Sequence, residues 1–200
     1  MYARVVTFTG VNDIDGAIGI VRQEVLPLLA AQSGYRGLSI SAERAGGVLG
    51  ALSLWESEAA RDGSESALAK TREQTAGQFG TSPPVVETFE ERVVEMARPP
   101  AVGSPLMVTR ISMDPAAIDD NLGFFTSQVL PQIKAAPGFR ALRNMIDPRT
   151  GRGLVGTVWD SPEAMRAAAD AAMARRPEAV ARGISFGETS YREILLIDMP

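Results

Sequence analysis

Apolar and polar residues alternate over residues 4–9 and again over 107–113, the period of two expected of a strand. Each stretch is followed by apolar positions at helical spacing. These are Ile14, Ile18, Val21, Val25 and Leu29 in the first half, and Ile118, Leu122, Phe125, Val129 and Ile133 in the second. Asp114-Pro115 supplies a helix start, with Asp as N-cap and Pro at the first position. Pro27 and Pro131 interrupt the last turns, so a kink or an early end is expected there. Gly34 and Gly138 mark the exits. Two strands follow in each half, roughly 36–44 with 48–55 and 140–147 with 153–159. Gly46-Gly47 and residues 147–151 are their hairpin turns. Ser57 and Ser161 then cap a second, Ala-rich helix, with Pro162, Glu58 and Glu163 in its first turn. Gly63 in one half and Pro177 in the other leave the length of that helix open. A last strand is expected near 85–95 and 188–197.

The two halves are one unit repeated. At an offset of 104 residues, Val25-Leu26-Pro27 recurs as Val129-Leu130-Pro131 and Trp55-Glu56-Ser57 as Trp159-Asp160-Ser161. Gly34-Tyr35-Arg36 likewise recurs as Gly138-Phe139-Arg140. Near the end of each copy the offset drops to 102, pairing Phe89 with Tyr191. The Pro, Gly and Ser content of 98–104 reads as a linker, which gives copy one as 1–96, a linker at 97–104 and copy two as 105–200. Each copy is then a β-α-β-β-α-β unit of the ferredoxin-like order. The expected fold is α+β: tandem ferredoxin-like repeats whose two four-stranded antiparallel sheets form a pseudo-dimeric α/β barrel.

Composition narrows the chemistry. The 200 residues include no cysteine and no histidine. Disulfides, thiolate nucleophiles, Cys- or His-ligated zinc and a Ser-His-Asp triad are thereby excluded. Residues 1–96 hold 8 basic and 13 acidic side chains, while residues 105–200 hold 11 of each. With a net charge of −4 and scattered Arg, no nucleic-acid partner is expected. No apolar run suggests a membrane span and no signal peptide is evident, so cytoplasmic is the expected location. No Asp/Glu cluster has metal spacing; pairs such as Asp119-Asp120 read as solvated faces. Gly151-Arg152-Gly153-Leu154-Val155-Gly156 fits G-x-G-x-x-G but opens a strand, so it reads as a hairpin turn.

The repeat resembles the dimeric α/β-barrel superfamily, in particular the antibiotic-biosynthesis-monooxygenase-like (ABM) domain. Carrying the resemblance are Val25-Leu26-Pro27, Gly34-Tyr35-Arg36-Gly37 and Leu54-Trp55-Glu56-Ser57-Glu58-Ala59. Copy two adds Val129-Leu130-Pro131, Pro137-Gly138-Phe139-Arg140 and Val158-Trp159-Asp160-Ser161-Pro162-Glu163-Ala164. The resemblance implies a pocket between each sheet and its covering helices, lined by the tryptophan before the second helix, hence Trp55 and Trp159. It also implies activities ranging from cofactor-independent oxygenation of polyphenolic or quinone-like compounds to haem degradation. The histidine of haem-degrading relatives falls near Glu65 and Ala169, and the asparagine of quinone-forming relatives falls at Ala51 and Val155. Haem degradation is therefore not expected, and the oxygenase set is incomplete in both copies.

Copy two holds polar residues where copy one is apolar. At the same offset Arg110 replaces Val6, Ser112 replaces Phe8 and Asn144 replaces Ile40, while Thr157 replaces Ser53. If these share a face, copy two has a polar-floored pocket. Arg110, Asn144 and Trp159 would be the catalytic candidates, and Trp55, Trp159, Thr157 and Ser112 the ligand-binding ones. The alternatives are that Arg110 lies on an exposed or inter-copy surface and that each tryptophan plugs a strand–helix junction.

Besides a purely structural assembly unit, two functional readings stand. One is a cofactor-independent monooxygenase acting on a small aromatic or quinone-like compound, with no cofactor and no metal. The other is a non-catalytic hydrophobic-ligand or stress-response protein. The expected partner is a small hydrophobic or aromatic molecule, with an intramolecular pseudo-dimer and a homodimer left open.

Overall fold

The computed structural model describes residues 1–199. Its strands are β1 (Tyr2–Phe8), β2 (Tyr35–Glu43), β3 (Val48–Trp55), β4 (Val85–Met96), β5 (Pro105–Ser112), β6 (Phe139–Ile146), β7 (Arg152–Trp159) and β8 (Ser185–Asp198). Their hydrogen-bonded order closes on itself as β1-β3-β2-β8-β5-β7-β6-β4. With its helices this is the α+β, ferredoxin-like barrel that the tandem repeat predicts. No helix among the described residues is long and apolar enough to cross a membrane.

The chain forms two compact units. Unit 1 is Met1–Thr88 with the chain from Glu193 onward, and unit 2 is Phe89–Arg192. Strands β4 and β8 thus each begin in one unit and end in the other. In unit 1, β3 pairs antiparallel with β1 and β2, and β2 pairs with the end of β8, Ile40 opposite Leu196. In unit 2, β7 pairs with β5 and β6, and β6 pairs with the end of β4, Asn144 opposite Val93. The last strand of each repeat therefore completes a sheet built from the other repeat. A strand covered on one face by its own helices gains a paired edge this way.

The first helix of each copy is longer than its proline suggests. In unit 1, α1 (Ile14–Ile20) runs through a π-helical turn, Val21–Val25, into α2 (Leu26–Ala30). In unit 2, α5 (Ile118–Phe124) runs through the π turn Phe125–Val129 into α6 (Leu130–Ala135). Pro27 and Pro131 stand at or just before the last turn without ending the helix; they open its final segment. A proline lacks an N–H and its ring crowds the carbonyl four residues back. The wider turn before it, closed by Leu26 N–H to the Val21 carbonyl, spaces that carbonyl away.

The second helix differs between copies. In copy one, α3 (Glu58–Gly63) and α4 (Glu65–Phe79) are separated at Ser64. In copy two, α7 (Pro162–Ala181) runs on through Pro177. Both start as the sequence predicts: Ser57 Oγ accepts from Ala60 N–H at 3.1 Å and Ser161 Oγ from Ala164 N–H at 3.2 Å. Gly34 and Gly138 have φ of 74° and 81°. A Cβ on either would stand 2.6 Å from Ala60 Cβ or 2.8 Å from Ala164 Cβ. Both backbone conformation and helix approach demand glycine here.

Candidate functional site

Register decides which side chains can meet. In unit 1, Arg4 stands opposite Ser53, Val6 opposite Ala51 and Phe8 opposite Leu49. Leu38 is likewise opposite Ser53 and Ile40 opposite Ala51. Directly paired residues project to the same face of a sheet, so these side chains share one face with Trp55. Between that face and the helices lies a cavity of about 60 Å³. The sheet contributes Arg4, Val6, Leu38, Ile40, Ala51 and Ser53 to it. Val21 and Val25 of the π turn, with Leu68, Thr71, Arg72 and Thr75 of α4, cover it. By volume it holds a few water molecules.

Arg4 is the notable lining residue. It is 3% exposed, in an otherwise largely apolar wall. Its Nη1 donates to Ser64 Oγ at 2.9 Å and its Nη2 to the Arg61 carbonyl at 2.6 Å. Nη2 also lies 3.0 Å from Glu65 Oε2, and Glu65 pairs in turn with Arg72. Ser64 Oγ donates back to the Arg61 carbonyl at 2.6 Å, so the break between α3 and α4 is built around this guanidinium. Arg4 Nε is buried and has no hydrogen-bond partner. Burial pushes the Arg4 pKa down, against the pull of Glu65, although an arginine stays charged throughout the accessible pH range. The guanidinium carbon is 5.7 Å from the Trp55 ring centroid, within cation–π range.

The tryptophans themselves are enclosed. Trp55 is 0% and Trp159 1% exposed. Each indole N–H is satisfied two residues back, by Ser53 Oγ at 3.1 Å and by Thr157 Oγ1 at 2.9 Å. Each ring meets an aromatic edge-on: Tyr35 for Trp55 at 5.9 Å and Phe139 for Trp159 at 5.8 Å. Tyr35 OH donates to Asp198 at 2.9 Å, and burial together with that carboxylate raises its pKa.

In unit 2 the expected constellation does not assemble. Trp159, Thr157 and Val155 share a face with Met107, Thr109 and Ile111 of β5, and with Leu142, Asn144 and Ile146 of β6. Arg110 pairs with Leu154 and Ser112 with Arg152, which puts both on the opposite face. Arg110 and Ser112 therefore cannot line a pocket with Trp159 and Thr157. The cause is a one-residue slip. Thr157, the counterpart of Ser53, faces Met107, so β1 and β5 correspond at an offset of 103 and not 104. A slip of one residue sends every side chain of a strand to the other face. By register, Val6 corresponds to Thr109, Phe8 to Ile111 and Arg4 to Met107. Asn144 remains on the helix-facing side, 3% exposed, with its Oδ1 buried and unpartnered.

Sequence reasoning passed over Arg4. The signal was present: a lone cation in step with Val6 and Phe8 on an apolar strand.

No family model matches the chain. Over its whole length the fold resembles a solved anthrone oxidase-like protein, with a TM-score of 0.71 at 17% identity, covering 99% of this chain and 92% of that one. It also resembles a ferredoxin-fold protein from Listeria monocytogenes related to antibiotic biosynthesis monooxygenases (TM-score 0.56, 10% identity, 97% and 95% covered). The haem-degrading enzyme of the same organism gives 0.58 at 10% identity, with 96% and 99% covered. The fold is thus like that of these monooxygenase-related ferredoxin-fold proteins. In sequence, the uncharacterised protein Rv2557 of Mycobacterium tuberculosis is 30% identical over 166 residues, 82% of this chain and 74% of its own length. The uncharacterised Rv2558 of the same species is 29% identical, over 82% and 70%. The chain belongs to the family of these mycobacterial proteins.

Proposed function

We propose that the unit 1 cavity is the working site, and that it takes a small aromatic or quinone-like molecule for cofactor-independent oxygenation. The observation that carries this reading is an almost wholly apolar cavity with the buried Arg4 among its lining residues. An enolate or phenolate can react with dioxygen directly when it is desolvated and its charge is balanced. One oxygen atom enters the oxidised CH₂ carbon as a carbonyl; the other leaves as water with that carbon's two hydrogens. The substrate supplies all the electrons. Arg4 stabilises the oxyanion and the Val/Leu/Ile wall excludes water. The likeness to an anthrone oxidase-like fold is in keeping with this chemistry. Where haem-degrading relatives have a histidine, Glu65 is ion-paired with Arg4 and Arg72, which supports the aromatic reading over a haem one.

A second reading, non-catalytic ligand binding, is favoured by Ala51. It stands in the cavity wall where the resemblance to quinone-forming relatives calls for an asparagine. Oxygen-electrode measurements with a panel of hydroquinones and anthrone-type compounds separate the two. The oxygenase reading expects oxygen uptake and a product with one oxygen gained and two hydrogens lost, both abolished when Ala51→Leu fills the cavity. No uptake with any compound leaves binding alone.

A further inference from the structure

We propose that the unit 1 cavity takes uncharged, mainly hydrocarbon molecules and rejects their ionised or heavily hydroxylated counterparts. The inference rests on the cavity being the ligand site, and narrows the aromatic class proposed above to its least oxygenated members.

The first observation is where the polar groups of the wall are spent. Five of the fifteen lining residues carry them: Arg4, Ser53, Thr71, Arg72 and Thr75. Arg4 turns its Nη atoms to Ser64, the Arg61 carbonyl and Glu65, and its Nε is buried away from the cavity. Arg72 is ion-paired with Glu65. Ser53 Oγ accepts from the Trp55 indole N–H at 3.1 Å, and Thr75 Oγ1 donates to the Thr71 carbonyl at 2.7 Å. The wall therefore meets a guest almost entirely with carbon. No carboxylate stands among the described residues that line it, so a cation is no better served than an anion. A hydroxyl placed there gives up its water partners without replacement, and an ionised oxygen loses far more. Apolar cavities of this kind stay dry and take up apolar molecules.

The second observation is that the scaffold does not impose this character. By strand register the wall row Val6, Ala51 and Ile40 corresponds in unit 2 to Thr109, Val155 and Asn144. Asn144 is buried there, and Thr109 Oγ1 is hydrogen-bonded to Thr189 Oγ1 at 3.2 Å. The repeated sheet admits an amide and a hydroxyl at these positions, and unit 1 carries hydrocarbon at both. Selection for the neutral form is also compatible with the proposed chemistry. The charge of Arg4, held behind the wall, acts on an oxyanion formed after entry and not on one arriving from water.

The test is a chemical-shift titration of the full chain with toluene, phenol and benzoate at about pH 8, where the acid is ionised and the phenol is not. The three share a ring and differ in what it carries. Toluene is expected to bind about tenfold or more tightly than phenol, the scale of an unreplaced hydroxyl hydration. Benzoate is expected to show no saturable binding. Ile40→Asn, which installs the residue of unit 2, is expected to narrow the gap between toluene and phenol. Ala51→Leu, which fills the cavity with hydrocarbon, is expected to weaken toluene binding about tenfold or more. Phenol binding as tightly as toluene, or saturable benzoate binding, overturns the inference and leaves the cavity as a ligand site. No binding of any probe overturns both. An unchanged gap in folded Ile40→Asn, or unchanged toluene affinity in folded Ala51→Leu, places the guest outside the cavity and likewise overturns both. The wild-type comparison stands by itself if either variant folds poorly.

Discussion

Met107 stands in unit 2 where Arg4 stands in unit 1, and three side chains around them, Arg61, Ser64 and Glu65 against Met165, Ala168 and Ala169, differ in the same sense. The two units have the same strand pairing, the same serine cap, the same glycine at the helix exit and the same enclosed tryptophan. Around Trp55 sit a guanidinium, a serine hydroxyl and a carboxylate; around Trp159 sit two methionines and two alanines. Methionine and alanine pack a junction without leaving polar atoms to satisfy. An arginine network at the same place must be held by hydrogen bonds throughout, and Arg4 Nε is the group left over. Duplication lets one copy keep the scaffold's stability while the other carries a costly polar feature. This comparison can be attacked at four depths.

The deepest is the shared plug. Trp55→Ala and Trp159→Ala should each cost about 3–5 kcal/mol, since both rings are fully enclosed. Urea unfolding measures this. A cost for Trp55→Ala well below that for Trp159→Ala would mean that the neighbouring cavity lets unit 1 relax, and that the junctions are less alike than their geometry.

Next comes the cluster itself. Replacing Arg4, Arg61, Ser64 and Glu65 together by the residues of unit 2 (Met, Met, Ala, Ala) should leave the chain folded and as stable or up to about 4 kcal/mol more so. Buried ionic groups commonly lose to well-packed apolar ones when all partners are removed together. Thermal melts give the sign. A marked loss of stability would show that the network is structural in unit 1, which would weaken its functional reading.

A smaller effect concerns Asn144. It occupies in β6 the position that Ile40 fills in the unit 1 cavity wall, and its Oδ1 is buried without a partner. Asn144→Ile should stabilise unit 2 by about 1 kcal/mol through removal of that unmet acceptor. Destabilisation would instead indicate that an ordered water satisfies Asn144, giving unit 2 a polar pocket of its own.

How much of this was readable beforehand follows from particular residues. The repeat, caps, turns and strand–helix order were legible because each is local: Ser57, Gly34 and the hairpin glycines act within a few residues of themselves. The constellation expected in copy two failed because it depends on the register of β5 at single-residue precision. The offset of 104 holds from Val25 to Ser57, and loops between strand and helix absorb a one-residue difference that leaves β1 and β5 at 103. Nor could burial correct the error. Ala3 and Val5, on the face away from the helices, are as buried as Arg4 and Val6, so β1 shows no polar side to mark its orientation. The helix prolines misled for a similar reason: nothing in the sequence around Pro27 announces the π turn that accommodates it.

The mildest test lies at the strand entrance. Glu56 meets Arg36 in unit 1; the equivalent Asp160 meets Arg140 at 2.9 Å in unit 2, and also the linker's Arg98. Hydrogen bonding from Arg98 holds the Asp160 carboxyl below the usual carboxylate range against the opposing effect of desolvation, and Arg140 adds to it. A carboxyl whose pKa is lower folded than unfolded stabilises the fold above its unfolded value, and that contribution disappears as pH falls through the folded value. Asp160→Asn should therefore reduce stability slightly at neutral pH, with the difference from wild type closing progressively in acid. Because these groups are exposed to solvent, salt should shrink the neutral-pH difference as well. Paired urea titrations across the carboxylate range read this directly. A difference that persisted unchanged in acid would mean that Asp160 anchors the linker through geometry and not through its charge.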